Sequence, residues 1–191
     1  MTWRTLILLS AAVTASGAVG IAGGVLGGAA PPWAAPRAAL PGWREVAWPH
    51  PRDAWPAGRA FRCGSPDCGG GIELFVRPKI GFCNCTTGVT DDAEVDAVSD
   101  LDLVSTDFRP LKPGEAVTIG GMPGLTRSYA LHMPDGSVRP GAGFAVSRRC
   151  DLVVGASHGP GAGSAEAQRA IAELLGSEPV MAWLGSFMGK G

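Results

Sequence analysis

Between Thr5 and Pro36 the chain carries no charged residue, and that stretch constrains everything downstream of it. Leu6, Ile7, Leu8 and Leu9 form an apolar heart behind Arg4, and Gly and Ala dominate from Ala11 to Ala30. Two readings compete: a secretory signal with small residues near Ala29-Ala30 or Ala34-Ala35, or a membrane helix that stays attached. Thr5 to Ala30, read as a helix of about 1.5 Å per residue, reaches roughly 39 Å, enough to cross a bilayer with some tilt. A signal core is usually about 7–15 residues, so the length favours the anchor. Gly20/Gly24, Gly23/Gly27 and Gly24/Gly28 also fit the small-residue spacing that lets helices approach closely in lipid. Either way Arg4 and the amino terminus stay inside and the rest is exported. The expected organisation is an N-terminal transmembrane anchor or signal segment (1–30), a Pro/Ala-rich linker (31–42) and an exported cysteine-containing domain (43–191).

The exported part reads as α+β, an antiparallel sheet with C-terminal helices forming a single domain after an N-terminal membrane segment. Gly58 to Cys63 and Gly71 to Phe82 read as strands around a Gly-rich turn. In the second, Ile72, Leu74 and Val76 alternate with Glu73, Phe75 and Arg77, a half-buried pattern with an aromatic on the outer face. Pro78 and Gly81 should bend or end it. Asp91 to Val98 reads as a short helix, with Asp91 and Glu94 placed for a capping box. Two strands are expected between Ala116 and Leu131 around Gly120-Gly121 and Gly124. Met133 to Gly136 reads as a turn, and Gly143–Ser147 and Asp151–Ala156 as further strands. Ser164 caps a helix bearing Ala167, Ile171, Leu174 and Leu175 on one face, ended by Gly176. A last helix puts Val180, Trp183, Leu184 and Phe187 inward. Trp43, Trp48 and Trp55, in a Pro-punctuated segment, are expected to wrap over a core edge. Strands first and helices last is the α+β signature.

Five cysteines occur: Cys63, Cys68, Cys83, Cys85 and Cys150. In an exported protein disulfides are the default. Cys63 and Cys68 flank a GSPD turn, which brings their Cα atoms within the usual span of about 4.4–6.8 Å, so that pair is favoured. A bond from Cys83 or Cys85 to Cys150 is more relaxed than a direct C-x-C bond, and the remaining pairing stays open. The alternative is a metal- or thiol-redox-handling module on Cys63, Cys68, Cys83 and Cys85. Thiolates suit Zn or Cu(I), although the spacing is not the paired C-x2-C form. For copper, Met122, His132 and Met133 could add soft ligands.

FRCGSPDCGG followed by KIGFCNCTTGVTDD resembles an uncharacterised group of small membrane-anchored proteobacterial proteins. The resemblance covers most of the exported region. It implies a location at the inner membrane, facing the periplasm, and brings no catalytic residue with it.

Several chemistries can be set aside from the residues. Sixteen Lys and Arg against seventeen Asp and Glu give a net charge of −1, which leaves no electrostatic footprint for nucleic acid. Gly155–Gly159 matches G-x-S-x-G, but no His follows His158, and neighbours on a strand face opposite ways, so His158 is poorly placed to activate Ser157. Gly159–Gly163 precedes a helix yet lacks the rest of a dinucleotide fingerprint. In the acidic run Asp91, Asp92, Glu94, Asp96, Asp100, Asp102 and Asp107, a calcium loop would need Gly where Ala97 stands and Glu where Leu103 stands. That run is expected to be a solvated helix start. His50, His132 and His158 are expected in loop or surface roles. The expected function is a membrane-anchored periplasmic accessory or interaction protein without catalytic activity, a small subunit of a membrane complex. Secretion after signal cleavage is the alternative location.

Overall fold

Strand-forming segments rich in Val, Ile, Leu and Phe pair into one sheet, and the pairing order explains which residues become neighbours. The computed structural model describes residues 40–189 apart from Arg52 and Cys83. The expected membrane or signal segment and most of the linker therefore lie outside the described residues. Among those described, no helix is long and apolar enough to cross a membrane.

The strands are β1 (Trp43–Val46), β2 (Arg59–Cys63), β3 (Ile72–Lys79), β4 (Asp107–Pro110), β5 (Glu115–Ile119), β6 (Met122–His132), β7 (Val138–Arg148) and β8 (Asp151–His158). Their order is β1-β2-β3-β8-β7-β6-β4, and β5 also pairs with β6. Every pairing is antiparallel. β4 lies against the Tyr129–His132 end of β6 and β5 against its Met122–Thr126 end, so the two form one interrupted edge. The helices are α1 (Asp92–Val98), α2 (Ala165–Gly176) and α3 (Glu178–Gly185). The mixed α+β class, antiparallel sheet and C-terminal helices match the expectation from sequence.

Each face of the sheet has its own cover. On one face α2 and α3 bring Ala167, Ile171, Leu174, Leu175, Val180 and Leu184 onto Phe61, Ile72, Leu74, Val76, Phe144, Val146 and Val153. Burying a Leu or Ile side chain contributes about 1.5–3 kcal/mol of transfer free energy, set against the entropy of ordering the chain. Ser164 caps α2 by accepting from the Ala167 amide. Trp183, expected inward, packs against this core while half-buried, and Phe187, also expected inward, is half-buried in the turn after α3. Their rings meet each other at 5.9 Å, and the Arg59 guanidinium lies over Trp183. A helix of only eight residues has one buried stripe, and Val180 and Leu184 already fill it.

On the other face α1 packs Val95 and Val98 against Ala145, Leu152 and Val154, and Leu101 joins Tyr129, Leu131 and Ala156. Asp91 and Glu94 form the expected capping box. The sheet's centre is built from small residues where large neighbours cross it. A Cβ on Gly155 would lie 2.5 Å from the Phe144 ring, and one on Gly143 2.5 Å from Ser99 Oγ.

Three local expectations are corrected. β3 runs through Pro78 to Lys79; β2 stops opposite Val76, so the proline sits where β3 is open on that side and its missing N–H is not needed. Gly124 lies within β6, where a Cβ would collide with the backbone of Ala145 and Val146 on β7. The outer face of β3 is not solvent-facing: Phe75 is 5% exposed, because the connection from β1 to β2 folds over it.

Candidate functional site

The outward row of β3, Glu73, Phe75, Arg77 and Lys79, organises the face covered by α1 and the β1–β2 connection. Phe75 carries three rings: Trp48 at 6.0 Å and His50 at 4.6 Å, both edge-on, and His158 at 5.8 Å, nearly parallel. Burial, followed by the Arg77 charge, lowers the proton affinity of His50. Its Nε2 is buried without a hydrogen-bond partner among the described residues.

Further along the row, Arg77 and Lys79 are each 5% exposed and converge on Asp100. Arg77 donates from Nε (2.5 Å) and Nη2 (2.9 Å) to the two Asp100 oxygens. Lys79 Nζ lies 2.7 Å from Asp100 Oδ1 and donates to the Val98 carbonyl at 2.9 Å. Arg77 Nη1 also reaches Asp53 at 2.6 Å, which holds the Asp53 carboxyl below its usual range. Asp100 is left-handed, with φ 60° and ψ 25°, a conformation Asp and Asn adopt more readily than most residues. A polar cleft of about 330 Å³ opens over this network.

The start of the acidic run is solvated as expected, with Asp91 exposed at the helix cap, but Asp92, Asp96 and Asp100 are partners of buried or half-buried bases. Asp100 neutralises β3, while Asp92 and Asp96 hold Arg127 at 3.3 and 2.7 Å. Asp96 also accepts from the Tyr129 hydroxyl at 2.5 Å, and burial together with that carboxylate pushes the phenol pKa up. The run has no base inside it because its bases arrive from β3 and β6.

At the far end of the same face lies a second cleft, of about 390 Å³, lined by Gly71, Glu73, Arg139, Pro140, His158, Gly159 and Pro160. The antiparallel register sets Glu73 opposite His158 and His158 opposite Gly141. The Glu73 carboxylate meets Arg62 through Oε1 and His158 Nε2, at 3.3 Å, through Oε2. Burial lowers the His158 pKa more than Glu73 raises it, so the ring is neutral at neutral pH. Two glycine loops form the walls and run backbone against backbone. A Cβ on Gly161 would lie 2.8 Å from Gly69 Cα, and one on Gly71 would lie 3.3 Å from Pro160. Gly71 and Gly159 both have positive φ, 66° and 128°, which favours glycine.

One staple fixes a wall of this cleft. Cys63 and Cys68 are bonded, with Cα atoms 6.5 Å apart, and close the short 3-10 turn Pro66–Cys68 that leads into Gly69–Gly71. The other staple, Cys85 to Cys150 with Cα atoms 4.2 Å apart, ties the β3–α1 loop to the β7–β8 turn at the opposite end of the sheet. Cys83 lies outside the described residues. A metal held by Cys63, Cys68 and Cys85 together would need thiolates that the structure instead bonds in two pairs, at opposite ends of β3. Met122 is buried in the helix-side core, at the end of β6 remote from His132 and Met133. Ser157 is 1% exposed and lies across the sheet from His158, its hydroxyl donating to the Ala142 carbonyl at 3.4 Å.

Sequence alone assigns His158 a loop role and does not pair it with Glu73. The signal for the pair is the alternation itself, which puts Glu73 and Arg77 on the face shared with His158 once β3 and β8 are neighbours. No protein-family model matches the chain, and no curated protein matches it.

Proposed function

We propose that this chain is an exported accessory domain, tethered to the outer face of the inner membrane by its opening apolar segment, which acts by contact within a membrane complex and not by catalysis. The observation that carries the reading is the pair of disulfides, Cys63–Cys68 and Cys85–Cys150. Such bonds persist in oxidising compartments and are rare in the cytosol. The uncharged stretch from Thr5 to Pro36 supplies the means of export. Contact is supported by the stapled loop after β3, where Ile80 is 43% and Phe82 48% exposed. Trp55 braces Phe82 edge-on at 5.0 Å, so this apolar surface is presented on a fixed frame.

The test is made on native material. Membranes are separated and alkylated without reductant, and the intact mass is measured before and after reduction. The expected result is the chain in the membrane fraction, with four cysteines cross-linked, and a discrete partner captured by in-membrane cross-linking. Recovery from the cytosol with five alkylated thiols would remove this reading, as would a partner-free monomer after mild detergent extraction.

A further inference from the structure

We propose that the cleft between the two glycine loops is a binding site for a small organic carboxylate with an apolar body. The site does not depend on how the chain is anchored. The cleft of about 390 Å³ falls in the size range of small-ligand sites, which combine apolar walls with a few placed polar groups. Its walls are Pro140 and Pro160, two rigid apolar surfaces. Gly71 keeps the Pro160 side clear, since a side chain there would press on Pro160 at 3.3 Å, and Gly159 lets its loop close on the Gly71 backbone, whose carbonyl oxygen a Cβ would meet at 2.0 Å.

The polar groups select the charge. Glu73 is already answered on both oxygens, by Arg62 and by His158, so it is not left to seek a cationic ligand. His158 is held by that contact and by its stack on Phe75, which fixes a neutral ring at the cleft floor. Arg139 is different. Its guanidinium is 46% exposed at the mouth, with Asp135 at 3.3 Å and Ser137 at 3.4 Å as long, exposed contacts. Asp135 is itself 58% exposed, so exchanging it for a ligand carboxylate sacrifices little. A carboxylate on Arg139 gains the two-pronged geometry guanidinium offers, while its apolar body lies between the prolines.

The test uses the purified full chain, oxidised and in detergent micelles, with benzoate, benzamide and benzylamine as probes. Saturation-transfer NMR reads the ligand, and amide shifts of the ¹⁵N-labelled protein read the site. Benzoate should move the amides of Gly71, Gly141 and Gly159, and should bind about tenfold more tightly than benzamide or benzylamine. Arg139→Gln should weaken benzoate about tenfold at an unchanged unfolding midpoint, because the side chain is exposed. Arg169→Gln, on the exposed side of α2, should change nothing. Should the shifts fall elsewhere, or benzylamine bind as well as benzoate, the site is not a carboxylate site. Unaltered benzoate affinity in folded Arg139→Gln would also overturn the proposal.

Discussion

Replacing Asp100 by Asn tests whether the buried charges on β3 are held as described. The substitution keeps the shape and tolerates the left-handed backbone at φ 60°, so only the charge is removed. Arg77 and Lys79 would stay buried, at 6% and 7% side-chain exposure. Arg77 would keep Asp53, and Lys79 would keep the Val98 carbonyl and the Trp55 and Phe82 ring faces but no carboxylate. Removing one partner of a buried ion pair costs about 3–5 kcal/mol. The lower end applies here, because Asn retains an acceptor and the polar cleft of about 330 Å³ admits water to the stranded cations. At about 2–4 °C per kcal/mol for a domain of this size, about 3 kcal/mol lowers the melting midpoint by about 6–12 °C. Asp53→Asn breaks the other contact to Arg77, but Asp53 is 40% exposed and should cost at most about 1 kcal/mol. Urea unfolding of the oxidised protein, followed by Trp fluorescence, measures both. The buried ion pairs are not what hold this face if Asp100→Asn lies within about 1 kcal/mol of wild type, or if Asp53→Asn proves the more damaging of the two.

The two staples should differ in worth, because Cys85–Cys150 spans 65 positions and Cys63–Cys68 only 5. Loop-closure entropy gives about 4 and about 2 kcal/mol as upper values, so the Cys85→Ala/Cys150→Ala double variant should have the lower urea midpoint, and equal midpoints would count against the estimate. Gly155→Ala should destabilise by about 1–3 kcal/mol, since the new methyl meets the Phe144 ring at 2.5 Å; a thermal melt within error of wild type would show that the ring yields freely. Acid should weaken the fold in two stages. His158 and His50 titrate below their ordinary 6.5 in the native state, so the unfolded chain takes up protons first, and stability, full above that pH, declines as pH falls below it. Asp53, depressed by Arg77, adds stability present above 3.8 that is lost as pH falls through its lowered native value. Urea midpoints at about pH 8 and about pH 5.5 check the first stage, with a flatter profile expected for His158→Gln, and a midpoint that rises on acidification would contradict the assignment.

Local chemistry makes much of the fold legible. Asp91 with Glu94 and Ser164 before Ala167 mark helix starts through capping physics, and the helices begin there; Gly176 is the last residue of α2, and the extended backbone of Ser177 ends it. Ile72, Leu74 and Val76 mark a strand face, and all three are buried under α2 and α3. The short edge strands β1 and β4 are not legible. Trp43–Val46 and Asp107–Pro110 have four residues each and little apolar alternation. They are strands because β2 and β6 offer them unpaired backbone, which is a tertiary cause.

The outer row of β3 is harder to read. Alternation says which residues share a face, but not whether that face meets water or another layer. Glu73, Arg77 and Lys79 therefore look like surface residues, and the acidic run from Asp91 to Asp107 looks like a solvated helix start. Each assignment is reasonable alone. Together they sit badly with a folded chain of net charge −1, in which a base-free run of seven acids needs cations supplied from somewhere. β3 carries two on alternate positions beside a large aromatic, and β6 carries Arg127. Arg77 and Lys79 share Asp100, and Arg127 takes Asp92 and Asp96. The complementarity between a cationic strand face and a distant acidic run is thus a long-range contact written in charge. It draws α1 onto Ala145, Leu152 and Val154, while the β1–β2 connection closes over Phe75 and leaves Glu73 and His158 at the half-buried end of the row.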